Sequence, residues 1–361
     1  MDMHNLEPAL LERLAYATGR AIGSPHDEAS EMARHLVGAN LAGHDSHGVG
    51  MLPDYVRMAA AGLLVPGREL RTVLDMSALL VVDAGRGVGQ WMARSAIDMA
   101  IERARKMGSC TMALRNSAHI GRIGHYAEQC AQAGMVSIHF VNVADHDPLQ
   151  APWGCRDARL GTNPFAVAIP GKDGPALVLD MATSVIAFGK ARVARNKGIA
   201  VPEGALLDEN GEPTTDPTTY VDTRRGALRS FGQHKGSGLA IICEMLGGAL
   251  TGGLTIQPDH PRQEGTVNSM LTVVIDAGAM DDGQQRFVPE VEAIKDYIRQ
   301  SRVAPGFDEI LMPGEPENRS RTGRSRDGIP IDDKSLSDIL EAARSAGVEH
   351  SVIAEIEAAR S

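Results

Sequence analysis

Asp83-Ala84-Gly85-Arg86-Gly87-Val88-Gly89 follows the apolar run Leu79–Val82 and precedes a helical stripe over Trp91–Met107. A strand, a glycine-rich turn and a helix in that order are what a dinucleotide-binding α/β unit needs. The glycines, however, are spaced GxGxG rather than GxGxxG. Nor does an acidic residue close a second strand about 20 residues further on, where a ribose would be held. The stretch reads as a plain strand-to-helix turn. It places the chain among α/β proteins and removes the Rossmann dinucleotide site from it.

Working outward, strands are expected at Cys110–Leu114, Val136–Val143, Phe165–Ile169, Leu177–Leu179 and Leu271–Ile275. Helices alternate with them at Ile123–Ala133 and Gly238–Leu250, which predicts an α/β sheet with helical cover. The flanks are helical. Leu6, Leu10, Leu11 and Leu14 recur at helical spacing behind Pro8, and Ala29, Met32, Ala33, Leu36 and Val37 form a second stripe ending at Gly43. Pro289–Gln300 and Ser335–Ala346 return to helix. The stretch Val201–Arg225, rich in Pro, Thr, Asp and Gly, reads as a long ordered loop.

Composition narrows the function. With 361 residues the chain can hold two domains, and a hydrophobic fraction of 43% supports a large core. A net charge of −10 argues against nucleic acid, because phosphate binding draws on clustered Lys and Arg. The one basic run, Arg319–Arg326, reads as a solvated loop. Cys110, Cys130, Cys155 and Cys243 form no close-spaced pair, so they read as small buried side chains of a reducing compartment. No apolar stretch resembles a signal peptide or a membrane span, and the expected location is cytoplasmic.

Chemistry concentrates in GHDSHGVG (43–50) and NSAHIGRIG (116–124). Each sets a histidine among glycines where apolar periodicity breaks off, and histidine is the side chain best suited to reversible proton transfer near neutrality. His119 follows a strand and precedes a helix, at the carboxyl end where open α/β sheets bind ligands. His44 and His47 could suggest a metal, but no further Cys, His or Glu completes a coordination shell at a usual spacing. Asp180, in LDMATS (179–184), is a carboxylate at a strand terminus. In HKG (234–236), Lys235 and open helical N–H groups suit a pyrophosphate.

With GTNP (161–164), these motifs resemble the malate/L-lactate dehydrogenase family over about Leu6 to Leu336. The resemblance implies a non-Rossmann, NAD(P)-binding mixed sheet over residues 76–284. It further implies a helical, dimerising part built from residues 1–75 and 285–361, and a homodimer. The implied activity is interconversion of small 2-oxo and 2-hydroxy acids, with hydride passing to or from NAD, or else NADP. Ureidoglycolate or malate dehydrogenase and cyclic-imine reductase activities are relatives' alternatives; a metal-dependent hydrolase using His44, His47, His119 and Asp180 is the reading from another class.

Residue by residue, the resemblance makes His119 the acid/base, with a pH dependence expected near the ordinary histidine pKa. Asp180 orients His119 or binds a ribose hydroxyl. His47, Gly121, Arg122, Ile123, Val178, Leu179, Asp180, Met181, Ala182, His234, Lys235 and Asn268 face the cofactor, as does the segment Gly314, Glu315, Pro316 and Glu317. Ser46, His47, Met51 and Arg122 face the substrate. Many relatives carry at position 51 an arginine that clamps the substrate carboxylate, and a small residue at position 122. Here Met51 and Arg122 stand instead. Either the clamp has moved to Arg122, leaving Met51 to admit a bulky or aromatic 2-oxo acid, or Arg122 contacts only the cofactor phosphates.

Overall fold

The computed structural model describes residues 3–280, 282 and 285–360. Seven strands form the main sheet, in the order Arg71–Met76, Leu79–Asp83, Ser109–Ser117, Val267–Asp276, Met135–Ala144, Phe165–Gly171, Gly174–Met181. Only the pair Leu79–Asp83 and Ser109–Ser117 is parallel; every other neighbour runs antiparallel. A doubly wound nucleotide fold is built from parallel crossovers, so this mixed sheet confirms the non-Rossmann α/β reading.

Two apolar cores flank the region where the two histidine motifs meet. In the first, Leu80, Val82, Met112, Leu114, Met270 and Val274 of the sheet pack beneath Met92, Ile97 and Ile101 of the helix Gly89–Met107 and Tyr126 of the helix Gly124–Gln132. The second joins Leu11, Leu14, Met32, Leu36 and Tyr55 to Ile329, Leu336, Ile339 and Ile353, so the two ends of the chain share one core. At roughly 25 cal/mol per Å² of apolar area, burying each such side chain is worth about 2 kcal/mol, which ties the ends together without any disulfide.

Three expectations change. Val201–Arg225 is no simple loop: Leu206–Leu207 and Pro213–Thr214 join Ala227–Arg229 and Gln150–Ala151 in a four-stranded sheet over a core of Ile186, Ala191, Tyr220 and Leu228. Strand pairs this short carry too few residues for alternation to show. The basic run 319–326 lies in the helix Glu315–Asp327, where Arg321 holds Glu128 and Arg324 holds Asp45. Cys155 is exposed, while Cys110, Cys130 and Cys243 are buried as expected. The helix Phe287–Arg299, counted with the helical part, has no buried residue and touches the Phe165–Gly171 strand.

Candidate active site

The turn 83–89 and the His119 loop are built on each other. Ala84 N–H donates to the Arg115 carbonyl at 2.9 Å, Arg86 N–H to Asn116 at 2.7 Å and Ala118 N–H to Gly87 at 3.3 Å. At Gly89 a Cβ would stand 2.2 Å from the His119 carbonyl oxygen, so only glycine admits the approach. The glycine-rich turn is thus the seat of the histidine loop. On the far side Ile120 N–H donates to Asn268 Oδ1 at 3.0 Å, and Asn268 Nδ2 donates to the Asn142 carbonyl at 2.9 Å. Asn268, expected at the cofactor, commits both ends of its amide to backbone.

The His47 turn is fixed by Asn40, whose Oδ1 accepts from Val49 N–H at 2.8 Å and whose Nδ2 donates to Asp45 at 2.7 Å. This brings His47 Nδ1 to 3.3 Å from His119 Nε2, with the rings stacked at 5.4 Å and 15°. His119 Nδ1 meets the Tyr55 hydroxyl at 2.8 Å, and Gln90 Nε2 donates to that hydroxyl at 2.6 Å. Burial pushes His119 down to about 3, helped by His47. It pushes His47 down to about 4, with the Asp180 carboxylate opposing it in part. Both rings are therefore neutral at pH 7. The pH dependence expected near the ordinary histidine value moves well into the acid range.

Arg122, only 3% exposed, lies between two carboxylates: Nη2 donates to Glu128 at 2.9 Å, and Nε stands 3.2 Å from Asp180. The second contact has ion-pair distance without hydrogen-bond alignment, which leaves Nε a buried donor without a partner. Asp180 accordingly faces Arg122; of its two expected roles, orienting His119 or binding a ribose hydroxyl, the contact to His119 is not among its bonds. Gly124 makes room for the pair, since a Cβ there would lie 2.6 Å from Asp180 Oδ2. Gly121, at φ +74°, leaves room for His35, whose Nε2 accepts from Arg122 N–H at 2.9 Å.

The remaining expected residues divide. Ile123 is buried in the sheet core, and Met51 is half-buried against the helical core. Ser46 packs against Gly189. The Val178–Ala182 strand end is closed by the Pro313–Gly314 loop through Val178 N–H donating to Pro313 at 3.0 Å, and Glu317 joins it by pairing with His44 at 3.2 Å. Glu315 accepts from Met312 N–H and Pro316 sits in the first turn of the following helix. His234 and Lys235 begin the helix His234–Cys243 with exposed side chains. The N–H groups of Lys235 and Gly236 already bond Gly232 and Phe231, so these two amides are not open to an anion.

Sequence reasoning missed Tyr55, Gln90, His35, Glu128 and Arg321. They are distant in sequence and sit inside ordinary helical stripes, so no local signal marks them. Glu31, His35 and His125 stand close enough to suggest a metal, but Arg34 and Arg94 both bind Glu31 Oε2 and bring positive charge to the spot.

Acid lability follows from these rings. Burial lowers His35, His47, His119 and His139 in the folded protein, while an unfolded chain protonates its histidines near 6.5. Between pH 6.5 and about 3 the unfolded state binds more protons, so stability falls as pH falls, by on the order of 1 kcal/mol per histidine per pH unit. Thermal melting from pH 7 to 4 should show a steep fall in Tm; a flat Tm contradicts the buried neutral rings.

A mixed sheet that brings two neutral histidines, an arginine and an aspartate to one loop cluster, beside a glycine-bordered strand end, fits a hydroxy-acid oxidoreductase outside the Rossmann class. The comparisons agree. Residues 6–340 match the model of the malate/L-lactate dehydrogenase family, and the chain belongs to that family. It is 45% identical over 352 residues to hydroxycarboxylate dehydrogenase B of Escherichia coli K12, covering 96% of this chain and 95% of that one. It is 44% identical over 303 residues to an L-lactate dehydrogenase of Cupriavidus necator, covering 83% of this chain and 86% of that one. The solved sulfolactate dehydrogenase of Methanocaldococcus jannaschii superposes with a TM-score of 0.85 at 33% identity, covering 97% of this chain and 99% of the other. No helix among the described residues is long and apolar enough to cross a membrane.

Proposed function

We propose that the protein interconverts 2-hydroxy acids and 2-oxo acids with a nicotinamide cofactor, NAD before NADP. The observation that carries this is the buried pair of neutral rings, His119 and His47, set beside Arg122 and Asp180. The cofactor, when bound, supplies the hydride chemistry. The strand end Val178–Ala182, bordered by Gly314, offers it a wall, and the exposed Lys235 offers a cation for its phosphates. The preference for NAD rests on the likeness to hydroxycarboxylate dehydrogenase B.

His119 handles the hydroxyl proton: a neutral ring takes it during oxidation and returns it during reduction. His47 borders the substrate and cofactor side. Arg122, whose Nε faces Asp180 at 3.2 Å without an aligned hydrogen bond, takes the substrate carboxylate, and Glu128 keeps the guanidinium from turning away. Asp180 then balances charge at Arg122. Met51, unbranched and half-buried, leaves room for a bulky or aromatic side chain.

The protein is further proposed to act in the cytoplasm as a homodimer. The dimer reading is supported by the exposed apolar residues Ile241, Ile242, Met245 and Leu250, which lie in the 76–284 part and not in the helical part expected to dimerise. The direct test follows NADH absorbance with pyruvate, oxaloacetate and phenylpyruvate. Oxidation of NADH is expected, fastest with the largest side chain; no turnover of NADH or NADPH with any 2-oxo acid overturns the proposal.

A further inference from the structure

Two buried residues stand behind His119, on the Nδ1 side away from His47. Tyr55 and Gln90 are fully buried, the first on the helix Leu52–Ala60 and the second at the start of the helix Gly89–Met107. They continue the line from His119 Nδ1 inward, at 2.8 and then 2.6 Å. Gln90 Oε1 is a buried acceptor with no partner. An orphaned buried acceptor is destabilising, and here it belongs to the amide that already meets a hydroxyl.

Counting protons shows what the orphan is for. With Gln90 Nε2 donating to the Tyr55 oxygen, the single Tyr55 proton goes to His119 Nδ1. Neutral His119 then carries its proton on Nε2, aimed at His47 Nδ1, and has no lone pair left for a substrate hydroxyl. Turning the amide over lets Oε1 accept the Tyr55 proton. The Tyr55 oxygen then accepts from His119 Nδ1–H, and the Nε2 lone pair is free. The imidazolium left after proton uptake also carries Nδ1–H, so the base and acid forms of His119 need the same turned amide.

We propose that Tyr55 and Gln90 are positioning residues that select the reactive tautomer of His119, the Gln90 amide acting as the switch. This rests on the reading of His119 as the acid/base. The titratable groups around that ring are Tyr55, His47 and His35, with Asp180 and Arg122 acting on His47 and Arg122 on His35. None of them replaces the acceptor that Gln90 Oε1 supplies behind Tyr55.

The test uses Gln90→Leu and Gln90→Glu in the full-length protein, with nitrogen-15 NMR of labelled histidine in the NADH complex. Leucine removes the acceptor, so the Tyr55 proton returns to His119 Nδ1 and the ring is held as Nε2–H. A loss of kcat on the order of 10² in both directions is expected, with the cofactor KM unchanged. Glutamate accepts from Tyr55 through either oxygen, so Gln90→Glu should keep Nδ1–H and retain kcat within a few-fold. Wild-type kcat in Gln90→Leu, or His119 found as Nδ1–H in that variant, overturns the proposal.

In a His119→Asn background Gln90→Leu should cost nothing further; an undiminished cost there also overturns it. If His119→Asn itself keeps full activity, the acid/base reading fails, and the NMR tautomers still decide the relay. Should Gln90→Leu not fold, Tyr55→Phe replaces it: it removes the oxygen that accepts from Nδ1–H, so a loss of kcat on the same order is expected, and an unchanged kcat overturns the proposal.

Discussion

Replacing His119 by asparagine should leave a folded protein that binds NADH almost normally and turns over about 10²–10⁴-fold more slowly, the usual contribution of a positioned acid/base. The loop around it is held by backbone bonds to Ala84, Arg86 and Gly87 and by Asn268 to Ile120, none of which uses the imidazole. The pH profile is the sharper readout. Since burial holds the free His119 near 3, the imidazolium needed for reduction becomes tenfold scarcer with each unit of pH above that value. Reduction kcat/KM should therefore fall with rising pH from the acid side through neutrality, without a plateau at 6.5. Oxidation needs the neutral ring and should lose rate only in acid. His119→Asn should flatten both, while His47→Asn should raise KM and keep the slopes. If the slopes vanish in His47→Asn and survive in His119→Asn, the two roles are exchanged.

Arg122→Ala should damage both fold and function. The guanidinium is buried between Glu128 and Asp180, and its loss strands the Glu128 carboxylate, which burial already penalises, and takes the cation from Asp180. Breaking a buried pair costs about 3–5 kcal/mol, and the low end is expected because Arg321 still holds Glu128 at 2.7 Å. Chemical denaturation measures this directly. KM for the 2-oxo acid should rise at least roughly tenfold, the equivalent of about 1.4 kcal/mol, with NADH affinity unchanged. Arg122→Lys should recover much of the stability but not the KM, because an ammonium cannot place a donor where Nε stands while also holding Glu128. A rise in the NADH dissociation constant with an unaltered 2-oxo acid KM would assign Arg122 to the cofactor instead.

How far the sequence could be read depends on the range of the interaction that does the fixing. The α/β class, the rejection of a Rossmann site at 83–89 and the two histidine motifs were all legible, because strand periodicity, glycine spacing and residue type are local properties. The helix carrying Arg319–Arg326 was not, since its mean hydropathy is strongly polar and it is held by ion pairs to Glu128 and Asp45 from elsewhere. The small sheet around Leu206–Leu207 escaped for a related reason: two-residue strands have no period.

At the site, sequence alone determined which groups are suited to the proposed chemistry: His47, His119, Arg122 and Asp180 carry titratable or charged side chains whatever their neighbours. Tertiary structure decided what those groups are. It paired Asp180 with Arg122, tied the Asn268 amide to the backbone of Ile120 and Asn142, and made the 83–89 turn the support of the His119 loop. It also placed Tyr55 and Gln90 behind the ring and drained both imidazoles of charge. Protonation state, tautomer and partner are set by burial and by atoms a few ångströms away in space but tens of residues away in the chain. Only the folded molecule brings those together.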